Sequence, residues 1–360
     1  MVGVRVAFLA PLVAPLAEPH LGGVQTHLID LARGLLGRGH LITVYASTGS
    51  RVSGTVIVDT EVDAELLQSS LFRPDREHTG DRDADRAFAT AVALIAAGHH
   101  DVVHNHAFDV AAVRHTAALP VPVVHTLHLP ADPAVAAALI SARRGSQPPV
   151  VAAVSEAQAR EWRRLVDVDT VFRPGLPLGS IPWSGGAGAG LLFAGRLSPE
   201  KGGLEAIAIA RSAGMPILLR GQPYDAAYAR LLEPFRDDPW VRLLGPLPRS
   251  RLWAEMAQAA AVLCPAGWEE PFGLVAAEAN ACGTPVVGFR HGGLPEVVAE
   301  GVTGILVDPG DVPAAALAVR EALALSREAC RRHAEATLDL EAVLDAHERL
   351  YRRMATGGRQ

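Results

Sequence analysis

Residues 185–203 read GGAGAGLLFAGRLSPEKGG, and the position of the glycines in this stretch decides the fold. A dinucleotide-binding fingerprint, G-x-G-x-x-G, follows the first strand of its domain and opens a helix. Here the run 185–190 comes before the apolar run 191–194. It therefore reads as linker, and 191–194 reads as a buried strand. The second glycine-flanked run, 195–203, follows that strand and leads into a helix beginning near Gly202. It carries Arg196 and Lys201, the only lysine among 33 basic side chains. Arginine can fork onto two oxygens and lysine gives a point charge, so the two can converge on one anion such as a diphosphate. The bland alternative is a solvated lysine, yet arginine serves the surface everywhere else in this chain. A pyridoxal Schiff base is another use of a lysine, and no supporting residues for one are identifiable.

Outward from this stretch, short apolar runs alternate with helical patterns on both sides. Before it come VRVAFLA (4–10), LITVYAS, TVIVDT, DVVHNH, PVVHTLH, PVVAAVS and DTVFRPG; after it come PILLRG, VRLLGPL, AVLCPA, TPVVGF and TGILVDPG. Continuous apolar strands alternating with helices predict an α/β fold with parallel sheets covered on both faces. Residues 174–190, dense in Pro and Gly, read as the interdomain linker. Two doubly wound domains in tandem are expected, 1–176 and 177–339. Val24, Leu28, Leu31 and Leu35 share one helical face, ended by Gly39. A last helix over about 340–354 has an apolar face of Leu340, Val343, Leu344, His347, Leu350 and Tyr351. The charged stretch 71–86 is expected to be a surface loop.

Composition narrows the function. Residues 1–180 carry 15 arginines against 18 acids and the remainder 18 basic against 21 acidic groups, so each half is −3. With no basic tract, nucleic acid and polybasic membrane anchoring are not expected. Three cysteines without CxxC spacing fit a reducing, cytoplasmic setting and no disulfide framework. The N-terminal apolar run is broken by Pro11 and Pro15 and does not fit a signal peptide. No segment has eighteen uninterrupted apolar residues. A G-x-S-x-G elbow and a P-loop are absent, which weakens hydrolase and kinase readings.

Further candidates sit where strands enter helices, the place an open parallel sheet binds ligands. Gly22 and Gly23 open the helix at Val24, so backbone and helix N-terminus can approach an anion; a flexible loop is the plain alternative. In CPAGWEEPFGLVAAEANACGTPVV (264–287), Glu270 precedes a helix starting near Phe272 and Glu278 lies within it. Eight residues at helical rise place them about 12 Å apart, the span from a sugar across a diphosphate to a ribose. Carboxylates accept from hydroxyls, and the amides of Phe272, Gly273 and Leu274 can face phosphate or sugar oxygens. His104, His106, His125 and His128 cluster at two strand ends. No carboxylate or cysteine completes a zinc site by spacing, so His128 is read as a polar strand-end residue facing a cleft.

Taken together, GGVQTHLIDLARGLLGRGHLITVY (22–45), FAGRLSPEKG (193–202) and EPFGLVAAEANACGTPVVGFRHGGLPEVV (270–298) resemble the retaining glycosyltransferases of family 4, which have the GT-B architecture. The resemblance covers nearly the whole chain. It implies two Rossmann-like domains facing a cleft, an acceptor mainly on the first, a nucleotide-sugar donor mainly on the second, and a C-terminal helix, 340–360, packed back on the first. It implies that Arg196 and Lys201 bind the diphosphate, that Glu278 binds ribose, and that Glu270 with the amides of Phe272, Gly273 and Leu274 holds the sugar. Gly22 and Gly23 would close over the phosphates and His128 would contact the sugar. It implies no cofactor and no metal, the two cations stabilising the departing diphosphate. Two departures stand out. RPGLPLG (173–179) lacks the family's Asn and Asp, and Ala266 replaces the usual Ser. A soluble small molecule, such as a natural product, is the expected acceptor. A nucleotide-sugar 2-epimerase and a non-catalytic nucleotide-sugar binder are the alternatives.

Overall fold

Every strand pairing is parallel among the residues described by the computed structural model, 3–19, 22–64, 82–186 and 188–357. The chain divides into two compact units. One comprises 1–17, 23–175 and 340–360, the other 18–22 and 176–339.

The first unit holds β1 (Arg5–Leu9), β2 (Leu41–Ala46), β3 (Val56–Asp59), β4 (Val102–Asn105), β5 (Val123–Thr126), β6 (Val150–Ala153) and β7 (Thr170–Val171). Their order is β3-β2-β1-β4-β5-β6-β7. The central strands are buried along nearly their whole length, as expected where helices cover both faces. In helix α1 (Gly23–Gly37), Leu28, Leu31 and Leu35 are fully buried. Helix α2 spans Arg82–Ala97. It corrects the expectation of a loop over 71–86: residues 82–86 are helical, and residues 71–81 lie outside the described residues. Asp83 and Asp85 occupy the first turn, where the helix dipole favours acids, so their charge marks a helix start rather than a loop. Three more helices follow: α3 (Val110–Thr116), α4 (Pro133–Ala142) and α5 (Glu156–Trp162). The C-terminal helix, Leu340–Gly357, belongs to this unit; its Leu340, Leu344, Leu350 and Tyr351 share one core with Phe8, Leu28 and Leu35.

The second unit holds β8 (Leu191–Ala194), β9 (Ile217–Arg220), β10 (Val241–Leu244), β11 (Ala261–Cys264), β12 (Val286–Phe289) and β13 (Gly304–Val307), in the order β10-β9-β8-β11-β12-β13. Its helices are α6 (Gly203–Ala213), α7 (Ala226–Leu232), α8 (Arg249–Gln258), α9 (Leu274–Ala281), α10 (Leu294–Val297), α11 (Val312–Ala322) and α12 (Arg327–Thr337); the C-terminal helix is then α13. Two buried arginines of α12 fasten the glycine- and proline-rich stretch to this unit. Arg331 donates to the carbonyls of Leu178, Ile181 and Ala281 and Arg327 to that of Ser184. Leu176 N donates to Leu338 O at 2.8 Å, so the two ends of the segment 176–339 lie side by side.

Candidate functional site

In the second sheet the chain reverses its direction of travel at β8: β9 and β10 lie on one side, β11 to β13 on the other. The loops leaving β8 and β11 therefore flank a topological switch point, where an open α/β sheet receives ligands. The loop after β8 carries Arg196 and Lys201; the loop after β11 carries Trp268 and Glu270.

The structure brings Lys201 and Glu270 together. Nζ lies 2.6 Å from Glu270 Oε2, and Trp268 Nε1 donates to the same oxygen at 2.9 Å. The ammonium also sits 4.8 Å from the centroid of the Trp268 ring, within cation–π range. Arg196 goes elsewhere: its guanidinium pairs with Glu200 at 3.0 Å and lies 5.4 Å from the Tyr224 ring. The two cations expected on one anion are thus each held by a separate carboxylate. The Cys264 thiol beneath this pair is pushed up to about 12 by burial and then by the Glu270 charge.

Local geometry fixes both loops. Pro199–Lys201 is a single 3-10 turn ended by Gly202 at φ 75°. That is a left-handed conformation, and an added Cβ would also collide with the Pro265 carbonyl oxygen. Gly267 N donates to Glu200 O at 3.1 Å, tying loop to loop. Glu270 is held from behind by the turn His291–Gly293: Gly293 N donates to its carbonyl at 2.7 Å, and a Cβ on Gly292 would stand 2.6 Å from its nitrogen.

Glu278 lies on α9. Phe272 is buried, and the helix begins at Leu274, because Gly273 is left-handed at φ 96°. This corrects the expected start near Phe272 and the straight 12 Å span, since Glu270 stands in a loop four residues ahead of the helix. Glu278 Oε1 accepts from Arg249 Nε at 2.6 Å, with both side chains nine-tenths buried or close to it. The Arg249 guanidinium covers the Trp253 ring at 4.6 Å.

In the first unit the reversal lies between β1 and β4. Gly23 is the first residue of α1, and Gly22 precedes it with open space where a Cβ would be. His128 does not stand free at its strand end. It is buried, stacked on His106 at 5.3 Å, with its Nε2 3.0 Å from His106 Nδ1. The adjacent strands β4 and β5 set Asn105 beside His125, and their continuations carry His106 and His128 into the same layer. His104 joins them, 2.5 Å from the Tyr351 hydroxyl and 2.6 Å from that of Thr126. His27 and His347 complete the cluster with ring centroids within 6.4 Å of these neighbours. Burial favours the neutral form of His128 and His347, lowering them to about 3 and about 4. His104 and His106 fall well below the ordinary range through burial and then through one another.

Sequence reasoning missed Trp268, Tyr224, Arg249, His27 and the catch at Gly292 and Gly293. Arg249 did leave a signal, a cation on the first residue of a helix. Among the described residues no set of three or more His, Cys, Asp or Glu is placed to hold a metal ion. No described helix is long and apolar enough to cross a membrane. Cys264, Cys282 and Cys330 are free thiols.

Residues 189–338 match the family described as Glycosyl transferases group 1, and residues 21–178 that described as Glycosyltransferase Family 4. The D-inositol 3-phosphate glycosyltransferase of Mycolicibacterium smegmatis is 30% identical over 86% of this chain and 81% of its own length. That of Mycobacterium bovis is 30% identical over 97% and 83%. Among solved structures, the sucrose-phosphate synthase of Thermosynechococcus elongatus superposes with a TM-score of 0.80 at 19% identity over 98% of this chain and 100% of that one. Anabaena HepE, solved with UDP-glucose, superposes with 0.70 at 20% over 96% and 98%. From the two family matches and the two parallel switch-point sheets, the chain belongs to the group 1, family 4 glycosyltransferases and has their two-domain GT-B fold.

Proposed function

We propose that this glycosyltransferase moves a sugar from a nucleoside-diphosphate sugar to a hydroxyl of a small-molecule acceptor, with retention at the anomeric carbon and without a metal. The observation that carries the reading is the Lys201–Glu270 pair at the β8/β11 switch point. An incoming diphosphate competes with Glu270 and Glu200 for Lys201 and Arg196, and Glu270 is then released to accept from sugar hydroxyls. Glu278 takes the ribose, and the amides of Phe272, Gly273 and Leu274 the phosphate or sugar oxygens. His128 is assigned to the sugar, and Gly22 and Gly23 to the phosphates. As the bond from the anomeric carbon to the diphosphate breaks, the electron pair leaves with the phosphate, where the two cations stabilise it. The acceptor oxygen bonds to the same face and its proton passes to the leaving phosphate. HepE with UDP-glucose supports a nucleotide-sugar donor. The inositol phosphate named for the mycobacterial relatives supports a small polar acceptor, and a cytoplasmic setting goes with this reading.

Thermal shifts with UDP, GDP, ADP and dTDP, and NAD as control, test the site. A ligand at a hundred times its dissociation constant adds about 2.7 kcal/mol. One diphosphate is expected to stabilise the wild type, and Lys201→Ala to lose most of that gain. A wild type that responds to none, or a variant that responds equally, overturns the reading. Sugar–diphosphate cleavage without acceptor would redirect it to epimerisation.

A further inference from the structure

We propose that Arg249 is a positioning residue that aims Glu278 at the ribose hydroxyls, so that a side chain with no substrate contact sets the preference for ribonucleotide donors; this rests on the diphosphate reading above. Arg249 is the first residue of α8, directly after Pro248, and the first turn holds no acid. A cation at a helix N-terminus opposes the dipole, so α8 itself gives no reason for one there. The side chain reaches across to α9. Nε holds Glu278 Oε1 at 2.6 Å, and stacking on Trp253 one turn further along α8 fixes the guanidinium plane. Glu278 therefore has one oxygen committed to a rigid donor. Among the described residues no hydrogen bond engages the other, Oε2, although the side chain is only 6% exposed. A carboxylate oxygen is acceptor-only, so the ligand that fits supplies donors, as the vicinal hydroxyls of ribose do.

Calorimetry would compare the diphosphate that binds the wild type with its 2′,3′-dideoxy counterpart, across wild type, Arg249→Met, Arg249→Lys and Glu278→Gln. Hydrogen bonds to a charged group predict a ribo preference of about tenfold to a hundredfold in the wild type. Arg249→Met should reduce it to a few-fold by weakening the ribo form alone, and Arg249→Lys should recover most of it. Glu278→Gln should lose it as well, and this variant decides the matter if Arg249→Met does not fold. The inference is overturned if Arg249→Met weakens both forms equally, or if Glu278→Gln keeps the preference. A wild type that binds a diphosphate but ignores the hydroxyls, or favours dTDP, sinks this inference and leaves the diphosphate site standing. Absence of any diphosphate binding sinks both.

Discussion

Lys201 occupies a narrow place: 2.6 Å from a carboxylate oxygen and 4.8 Å above an indole. A compact ammonium fits there, and a planar guanidinium is wider and points its donors differently. In a chain that otherwise uses arginine throughout, this geometry gives a reason for the exception. Lys201→Arg is therefore expected to lower the transfer rate at least tenfold with the far-UV spectrum unchanged; a wild-type rate would mean that only charge matters. The residue was legible because it is unique and stands in a glycine-flanked loop after a strand. Its partner was legible as an acid just ahead of a helix, but the pairing was not, since 69 positions separate them. Nor was the support from Gly292 and Gly293, which arrives from the far end of β12. Distant residues in contact have no common period for a sequence pattern to show.

Among elements, α13 shows what patterning can and cannot supply. The spacing of Leu340, Leu344, Leu350 and Tyr351 marked an apolar face, and those residues are buried. What the pattern lacked was the fit against α1. Gly34 of α1 leaves the space that Leu344 fills, and a Cβ there would meet Leu344 Cδ1 at 2.5 Å. Leu344→Ala should cost about 2–5 kcal/mol. Gly34→Ala should destabilise the wild type by steric conflict, yet in the Leu344→Ala background it should return part of the loss, since alanine fits the vacated space and favours the helix by about 1 kcal/mol. Urea midpoints of the four proteins in a double-mutant cycle measure the coupling; strictly additive losses would contradict this packing. The loop expected over 71–86 ran too far for a different reason. Acids and arginines in 82–86 suit a solvated loop and an exposed first helical turn equally well, so charge alone did not separate the two.

For the whole molecule, the tandem α/β architecture was legible because β-runs and helices alternate throughout, whereas the histidine layer was seen only as a pair of strand ends. Among the described residues, six buried histidines have rings in or beside it: His27, His104, His106, His125, His128 and His347. Folding keeps His104, His106, His125, His128 and His347 neutral, while in the unfolded chain each of these takes up a proton near its ordinary value of about 6.5. Their folded values lie below the unfolded ones, so the stability they allow is complete above about pH 6.5. It is lost as pH falls from there toward the folded values, about 4 for His125 and His347 and about 3 for His128. Each ring adds roughly 1.4 kcal/mol per pH unit within that window. Urea midpoints should drop steeply between pH 6.5 and 5, and a flat profile would show the layer to be open to solvent. The closing of α13 over this layer has one more consequence. The long segment of unit 2, 176–339, is strung between two pieces of unit 1, and Leu176 and Leu338 near its ends are hydrogen-bonded to each other. As the polypeptide leaves the ribosome, everything unit 2 needs has been made by residue 339, while unit 1 still waits for Leu344 and Tyr351 to fill its core. Domains of a nascent chain ordinarily fold in the order of their synthesis; here the half that starts first is the last to close.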